Sequence, residues 1–128
     1  MSHSDSISEI KHHLLLNVLA DRLKKSGFFE IEADHLEHAS RPLPVVDRDG
    51  RSHMPDLVAS REGKRYFFEV KTDEALFSDE TEEQLRAIDE YAGAVGGEFC
   101  LVVPVESAAK AEFLLEWLGL RNVTVLYC

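Results

Sequence analysis

Three residues in the middle of the chain have the types and spacing to do chemistry on a phosphodiester: Asp56, Glu69 and Lys71. They sit in Pro55-Asp56-Leu57-Val58-Ala59-Ser60-Arg61-Glu62-Gly63-Lys64-Arg65-Tyr66-Phe67-Phe68-Glu69-Val70-Lys71-Thr72, which reads as a β-hairpin. Leu57 to Ser60 and Arg65 to Thr72 are short runs rich in apolar, aromatic and β-branched residues, separated by a charged turn. With Glu62-Gly63 as the turn, facing residues have numbers summing to 125, so Asp56 lies opposite Glu69. Side chains alternate along a strand, so Glu69 and Lys71 share a face while Phe68 and Val70 point the other way, into a core. Two carboxylates facing each other at roughly 5 Å between Cβ atoms repel. A hard divalent cation such as Mg²⁺ removes that repulsion, because it takes oxygen ligands from one or two carboxylates, water and substrate phosphate. A lysine beside it holds a phosphate oxygen or orients the attacking water.

Pro55-Asp56, twelve residues and then Glu69-Val70-Lys71 resembles the signature of the PD-(D/E)xK nuclease superfamily, the restriction-endonuclease-like fold. The likeness runs from about Ile7 to Val103 and is greatest to the small Holliday-junction-resolvase-like and Mrr-like members. It implies an endonuclease acting on DNA, with Mg²⁺ as cofactor and Mn²⁺ able to substitute. Asp56, Glu69 and the Val70 carbonyl then hold the metal, and Lys71 acts on the water. The resemblance also implies a glutamate on the first helix, for which Glu9 is the candidate, and a glutamine on the second, matched by Gln84. Homodimerisation is common among such nucleases.

Both of these last residues have a structural alternative. Ser6-x-x-Glu9 and Thr81-x-x-Gln84 fit the capping-box pattern, in which the residue three places on reaches back to the N-cap amide. Capping takes precedence for Glu9, and for Gln84 both readings stand.

The positioning elements follow from periodicity. Ile7, Ile10, Leu14, Leu15, Val18, Leu19 and Leu23 recur at helical spacing, giving an amphipathic helix over 7–25 that ends at Gly27. Either His12 or His13 on it could face the site, but the surface reading takes precedence for both. Phe28 to Ala33 is a first strand. Between Asp34 and His53 lies a long connection in which Val45-Val46 and Arg51-Ser52-His53 flank an Asp49-Gly50 turn as a small extra hairpin. Arg41, Arg48, Arg51 and His53 in this segment form the candidate strip for nucleic-acid phosphates, the alternative being an ordinary solvated loop. After the lysine strand, Asp73 to Glu83 carries six acidic residues in eleven, a density suited to a helix N-terminus and awkward beside DNA. Leu85, Ile88, Tyr91, Ala92 and Val95 give a second helix stopped by Gly96-Gly97. Glu98 to Pro104 is a strand buried on both faces. A third helix runs from about Ser107 to Gly119, and Asn122 to Tyr127 closes the chain as a strand. The order is α-β-β-β-α-β-α-β, an α/β fold with a mixed central β-sheet flanked by helices and parallel crossovers in its second half.

Composition sets the bounds. A chain of 128 residues with 45% hydrophobic residues builds one domain with a real core, and residues 1–6 are expected to be disordered. No apolar run of about 18 residues exists, and the start lacks a signal-peptide pattern, so a cytoplasmic location is expected. Cys100 and Cys128 are not spaced for zinc, and Cys100 reads as buried. The net charge of −10 runs against a nucleic-acid partner, since phosphate neutralisation supplies most non-specific affinity. It leaves a second reading open, a catalytically silent subunit of the same fold that docks on a nucleic-acid enzyme, which an apolar face on the sheet edge or on the third helix around Leu114, Trp117 and Leu120 would favour. A third is a plain α/β domain in which Asp56, Glu69 and Lys71 form a surface ion-pair cluster.

Overall fold

A computed structural model describes residues 3–128, with side chains from Ile7 onward. The expected disorder of residues 1 and 2 lies outside the described residues, whereas residues 3–6 are already helical. The elements run α1 (His3–Lys25), β1 (Phe29–Ala33), β2 (Val45–Val46), β3 (Ser52–His53), β4 (Leu57–Arg61), β5 (Lys64–Val70), α2 (Asp79–Ala94), β6 (Glu98–Val103), α3 (Ala108–Leu118) and β7 (Val123–Tyr127).

Five strands form one sheet in the order β1-β4-β5-β6-β7. β4 pairs antiparallel with β1 on one side and β5 on the other, and β6 and β7 join in parallel through the α2 and α3 crossovers. The β4–β5 register pairs Leu57 with Phe68 and Arg61 with Lys64, as the turn position requires. Glu62 and Gly63 both have positive φ, 53° and 80°, the geometry of a tight turn whose twist matches that of the strands. β2 and β3 form the small extra hairpin, tied by the Asp47 carboxylate, which accepts the Asp49 and Arg51 amides at 2.9 and 3.0 Å.

The sheet is buried on both faces. On one, α1 lays Leu16, Leu19, Ala20 and Leu23 against Leu57, Ala59, Phe68, Val70, Cys100 and Val102. On the other, α2 and α3 pack Leu85, Ile88, Ala111 and Leu115 over Val58, Phe67, Phe99, Leu101 and Val103. α1 is therefore built differently from its expected single apolar face. At 100° per residue, Leu16, Leu19, Ala20 and Leu23 cluster on one side of the helix. Ile7, Ile10, Leu14 and Val18 lie on the opposite side and are exposed. The periodicity marks a helix but mixes two stripes.

The expected apolar surface on α3 is also corrected. Leu114 and Leu120 are buried, and the exposed pair is Trp117 stacked on Phe113. Among the described residues no helix is long and apolar enough to cross a membrane.

Candidate active site

The open end of the β4–β5 hairpin brings Asp56, Glu69 and Lys71 together. Asp56 precedes the first residue of β4, and Glu69-Val70 closes β5. At this pair the backbone ladder is replaced by side chains. The Asp56 amide donates to Glu69 Oε1 at 3.1 Å, and the Val70 amide donates to Asp56 Oδ2 at 2.7 Å. Each acid is thus held by the amide backbone of the facing strand, which fixes both carboxyls in place. Lys71 continues the strand direction, its amide donating to the Val102 carbonyl at 2.9 Å on β6.

The lysine is oriented by two further groups. Its Nζ lies 3.4 Å from Glu69 Oε2 and donates to Gln84 Oε1 at 2.5 Å. Gln84 is available for this because α2 starts earlier than its sequence suggests. Ser78 is the N-cap, its hydroxyl accepting the Thr81 amide at 3.1 Å, so the Thr81-x-x-Gln84 capping box does not form. Gln84 instead donates to Glu80 at 3.3 Å and turns its carbonyl to Lys71.

α1 supplies the opposite wall. His12 Nε2 lies 3.2 Å from Asp56 Oδ2, and a cleft of about 460 Å³ is lined by Glu9, His12, His13, His35, Asp56, Val70 and Lys71 among others. His12 thus takes the site-facing reading over the preferred surface one. The signal for it was present: His12, Leu16, Leu19 and Leu23 follow i, i+4, i+7, i+11, the inward stripe of the helix. The other expectation for this helix also changes. α1 begins before Ser6, so Ser6 is not its N-cap and the capping box with Glu9 is absent. Glu9 lines the cleft wall, but among the described residues no three His, Cys, Asp or Glu side chains converge on one metal position.

The electrostatics distinguish the two acids. Burial, then the charge of Asp56, drives the Glu69 carboxyl well above the usual carboxylate range, with Lys71 pulling the other way. Burial also pushes Asp56 upward, but the hydrogen bond and charge of His12, joined by the Val70 amide, outweigh it and hold Asp56 below the usual range. The hydrogen bond to Asp56 in turn raises His12 against the effect of burial. Without a metal the two acids are therefore pushed apart, Asp56 toward losing its proton first and Glu69 toward holding one longer.

The four cationic candidates from the long connection are not gathered at this cleft. Arg41 pairs with Asp34 at 3.1 Å, Arg48 with Glu90 at 2.9 Å and Arg51 with Glu83 at 2.8 Å. His53 is buried and bonded to Asp47 at 2.7 Å. The small hairpin packs on α2, which draws Arg48 and Arg51 to helix carboxylates. The acidic stretch is answered in the same way: Asp73 is held by Lys110 and Ser107, Glu74 by Lys11 and Glu82 by Arg86.

The fold has a counterpart among solved structures. The crystal structure of an XisH family protein from Nostoc punctiforme PCC 73102 superposes with a TM-score of 0.56 at 22% identity, covering 91% of this chain and 88% of that one. The fold is restriction-endonuclease-like. At that identity the likeness is one of fold. No protein-family model and no curated protein matches the chain.

Proposed function

We propose that the chain is a divalent-metal-dependent endonuclease that hydrolyses phosphodiester bonds in DNA at the Asp56–Glu69–Lys71 cleft. The observation that carries this reading is the hairpin end itself. Glu69 is held by the Asp56 amide and Asp56 by the Val70 amide, and the adjacent lysine is aimed by Gln84. A surface ion-pair cluster has no use for a carboxyl buried to 2% exposure beside a second one.

The donor set fits Mg²⁺ or Mn²⁺. Asp56 and Glu69 supply hard oxygens in one small volume, and the Val70 carbonyl belongs to the same strand end. Water and the substrate phosphate complete the shell, so a third acidic side chain is not required. A cation held by Asp56 and Glu69 would offset the carboxylate repulsion that favours a proton on Glu69. When bound, the metal supplies charge to the phosphate and its leaving oxygen and acidifies water. Lys71, with donors beyond those used by Glu69 and Gln84, orients the attacking water or holds a non-bridging phosphate oxygen. Gln84 fixes the lysine, and His12 fixes the Asp56 carboxylate from the α1 side.

The carboxylate pairing of Arg41, Arg48 and Arg51 favours the second reading, a silent subunit that docks on a nucleic-acid enzyme. Titration of Mn²⁺ and Mg²⁺ into wild type and Glu69→Gln, with cleavage of linear, nicked and branched DNA, separates the two. The nuclease reading expects metal binding that disappears in Glu69→Gln and cutting that disappears in Lys71→Ala. A protein that binds no metal refutes it.

A further inference from the structure

We infer that His13 and His35 form a substrate-holding pair at the mouth of the cleft, both rings donating to one non-scissile phosphate of the bound DNA strand. The inference rests on the nuclease reading above and names what holds the strand there. A protein positions DNA chiefly through hydrogen bonds to its phosphates, so the cleft needs donors beyond those that act on the scissile group. Arg41, Arg48, Arg51 and His53 do not supply them, each being paired with a carboxylate away from the cleft. Of the cleft's own side chains with ring or ammonium nitrogens, His12 is committed to Asp56 and Lys71 to Glu69 and Gln84. His13 and His35 are left.

The two come from different elements and meet. Their ring centroids are 5.3 Å apart and the rings are tilted by 42°, a separation at which each can donate one N–H to a different oxygen of the same phosphate. His13 is carried by the rigid helix α1, and among the described residues its ring has no hydrogen-bond partner. His35 is held by a loop that is tied to the site. The Asp34 amide donates to the Asp56 carbonyl at 3.2 Å, and the Ala33 amide to the Ser40 carbonyl at 2.8 Å, which closes the loop at its base. His35 itself has φ 65°, in the left-handed region that residues other than glycine seldom enter and that collects at ligand sites. Its Nε2 lies 3.3 Å from Asp34 Oδ2, and Arg41 holds Asp34 from the other side at 3.1 Å. One ring nitrogen is thus anchored and Nδ1 remains for a ligand. Glu9 and Asp56 face the same cleft, so a strand enters once a divalent cation offsets their charge.

The test is fluorescence anisotropy of labelled linear and branched DNA with Ca²⁺ as the cation, on wild type, His13→Ala, His35→Gly and His38→Gly. Glycine suits the positive φ of both loop positions, 65° and 66°, and His38 lies on the same loop outside the cleft. Mn²⁺ titration and thermal unfolding accompany each variant. His13→Ala and His35→Gly are each expected to raise the DNA dissociation constant about 10-fold, the loss of one hydrogen bond to a charged group. The loss is the same for every DNA sequence, as for any backbone contact, with Mn²⁺ affinity and melting temperature unchanged. His38→Gly binds as wild type. Folded His13→Ala and His35→Gly proteins that hold DNA as wild type does overturn the inference and leave the nuclease reading standing. So does a loss confined to particular bases, or one accompanied by weaker Mn²⁺ binding, which would make the rings metal ligands. A wild type that takes Mn²⁺ and no DNA also overturns it. A wild type that takes no Mn²⁺ refutes the nuclease reading, and this inference falls with it.

Discussion

Glutamine at position 69 is expected to stabilise the metal-free protein, increasingly so as the pH rises. Glu69 is 2% exposed, accepts the Asp56 amide at 3.1 Å and faces a second carboxyl. Burial and the Asp56 charge raise its pKa well above the ordinary value of 4.5. Between that value and the raised one, the folded chain keeps a proton that the unfolded chain has lost. The folded state then binds more protons, so stability falls as pH rises through this window, by up to about 1.4 kcal/mol per pH unit. Above the raised pKa the loss levels off.

Glutamine reproduces the shape and donor of the protonated acid and does not titrate. The gain of Glu69→Gln over wild type therefore starts near zero around pH 4.5 and climbs with that slope. The repulsion it relieves, two charges about 5 Å apart at an effective dielectric of about 20, is about 3 kcal/mol and sets the scale of the plateau. For a domain of this size each kcal/mol moves the melting temperature by roughly 3–5 °C. Asp56 has a lowered pKa, so its contribution changes only below about pH 4, and His12 titrates in both proteins. The assay is thermal or urea unfolding in EDTA from pH 5 to 8. A variant whose stability runs parallel to wild type, or falls below it at pH 8, refutes the claim that Glu69 keeps its proton.

Three further outcomes test the site. Mn²⁺ at ten times its dissociation constant is expected to stabilise wild type by about 1.4 kcal/mol, visible as a melting shift of roughly 4–7 °C that Asp56→Asn removes. Gln84→Ala is expected to lower single-turnover cleavage by about 10- to 100-fold with metal affinity unchanged, since it frees Lys71 without touching the acids; unchanged cleavage would assign Gln84 to the helix alone. His12→Ala is expected to cost about 1–2 kcal/mol in urea unfolding at pH 6, because it removes the partner of a half-buried carboxylate. The benefit of His12 is full below its ordinary pKa of 6.5 and is lost as pH rises through its raised value, so the deficit of the variant shrinks above that point.

The sequence by itself determined the hairpin and, through it, the acid pair. A β-turn of two residues and a strict alternation of side chains leave one register, so the opposition of Asp56 and Glu69 follows from Glu62-Gly63 alone. The buried β6, the parallel crossovers and the approximate bounds of α2 and α3 were likewise local in origin, carried by apolar runs, caps and the terminal Gly119 at φ 73°. Tertiary structure alone decided the rest. α1 carries apolar residues on two opposite sides, and a helical period fixes their spacing without saying which side meets the sheet. That choice, made by the packing of Leu16, Leu19 and Leu23 on Phe68 and Val70, is what turns His12 and Glu9 into the cleft and leaves Ile10 and Leu14 outside. Gln84 acquired its lysine because Ser78 took the cap, a contest between neighbouring N-cap candidates that local pattern does not resolve. Arg48 and Arg51 met Glu90 and Glu83 only because the small hairpin folds onto α2. Pairing across a turn is short-range and discrete, whereas the facing of a helix and the partner of a long charged side chain are set by what the whole chain brings beside them.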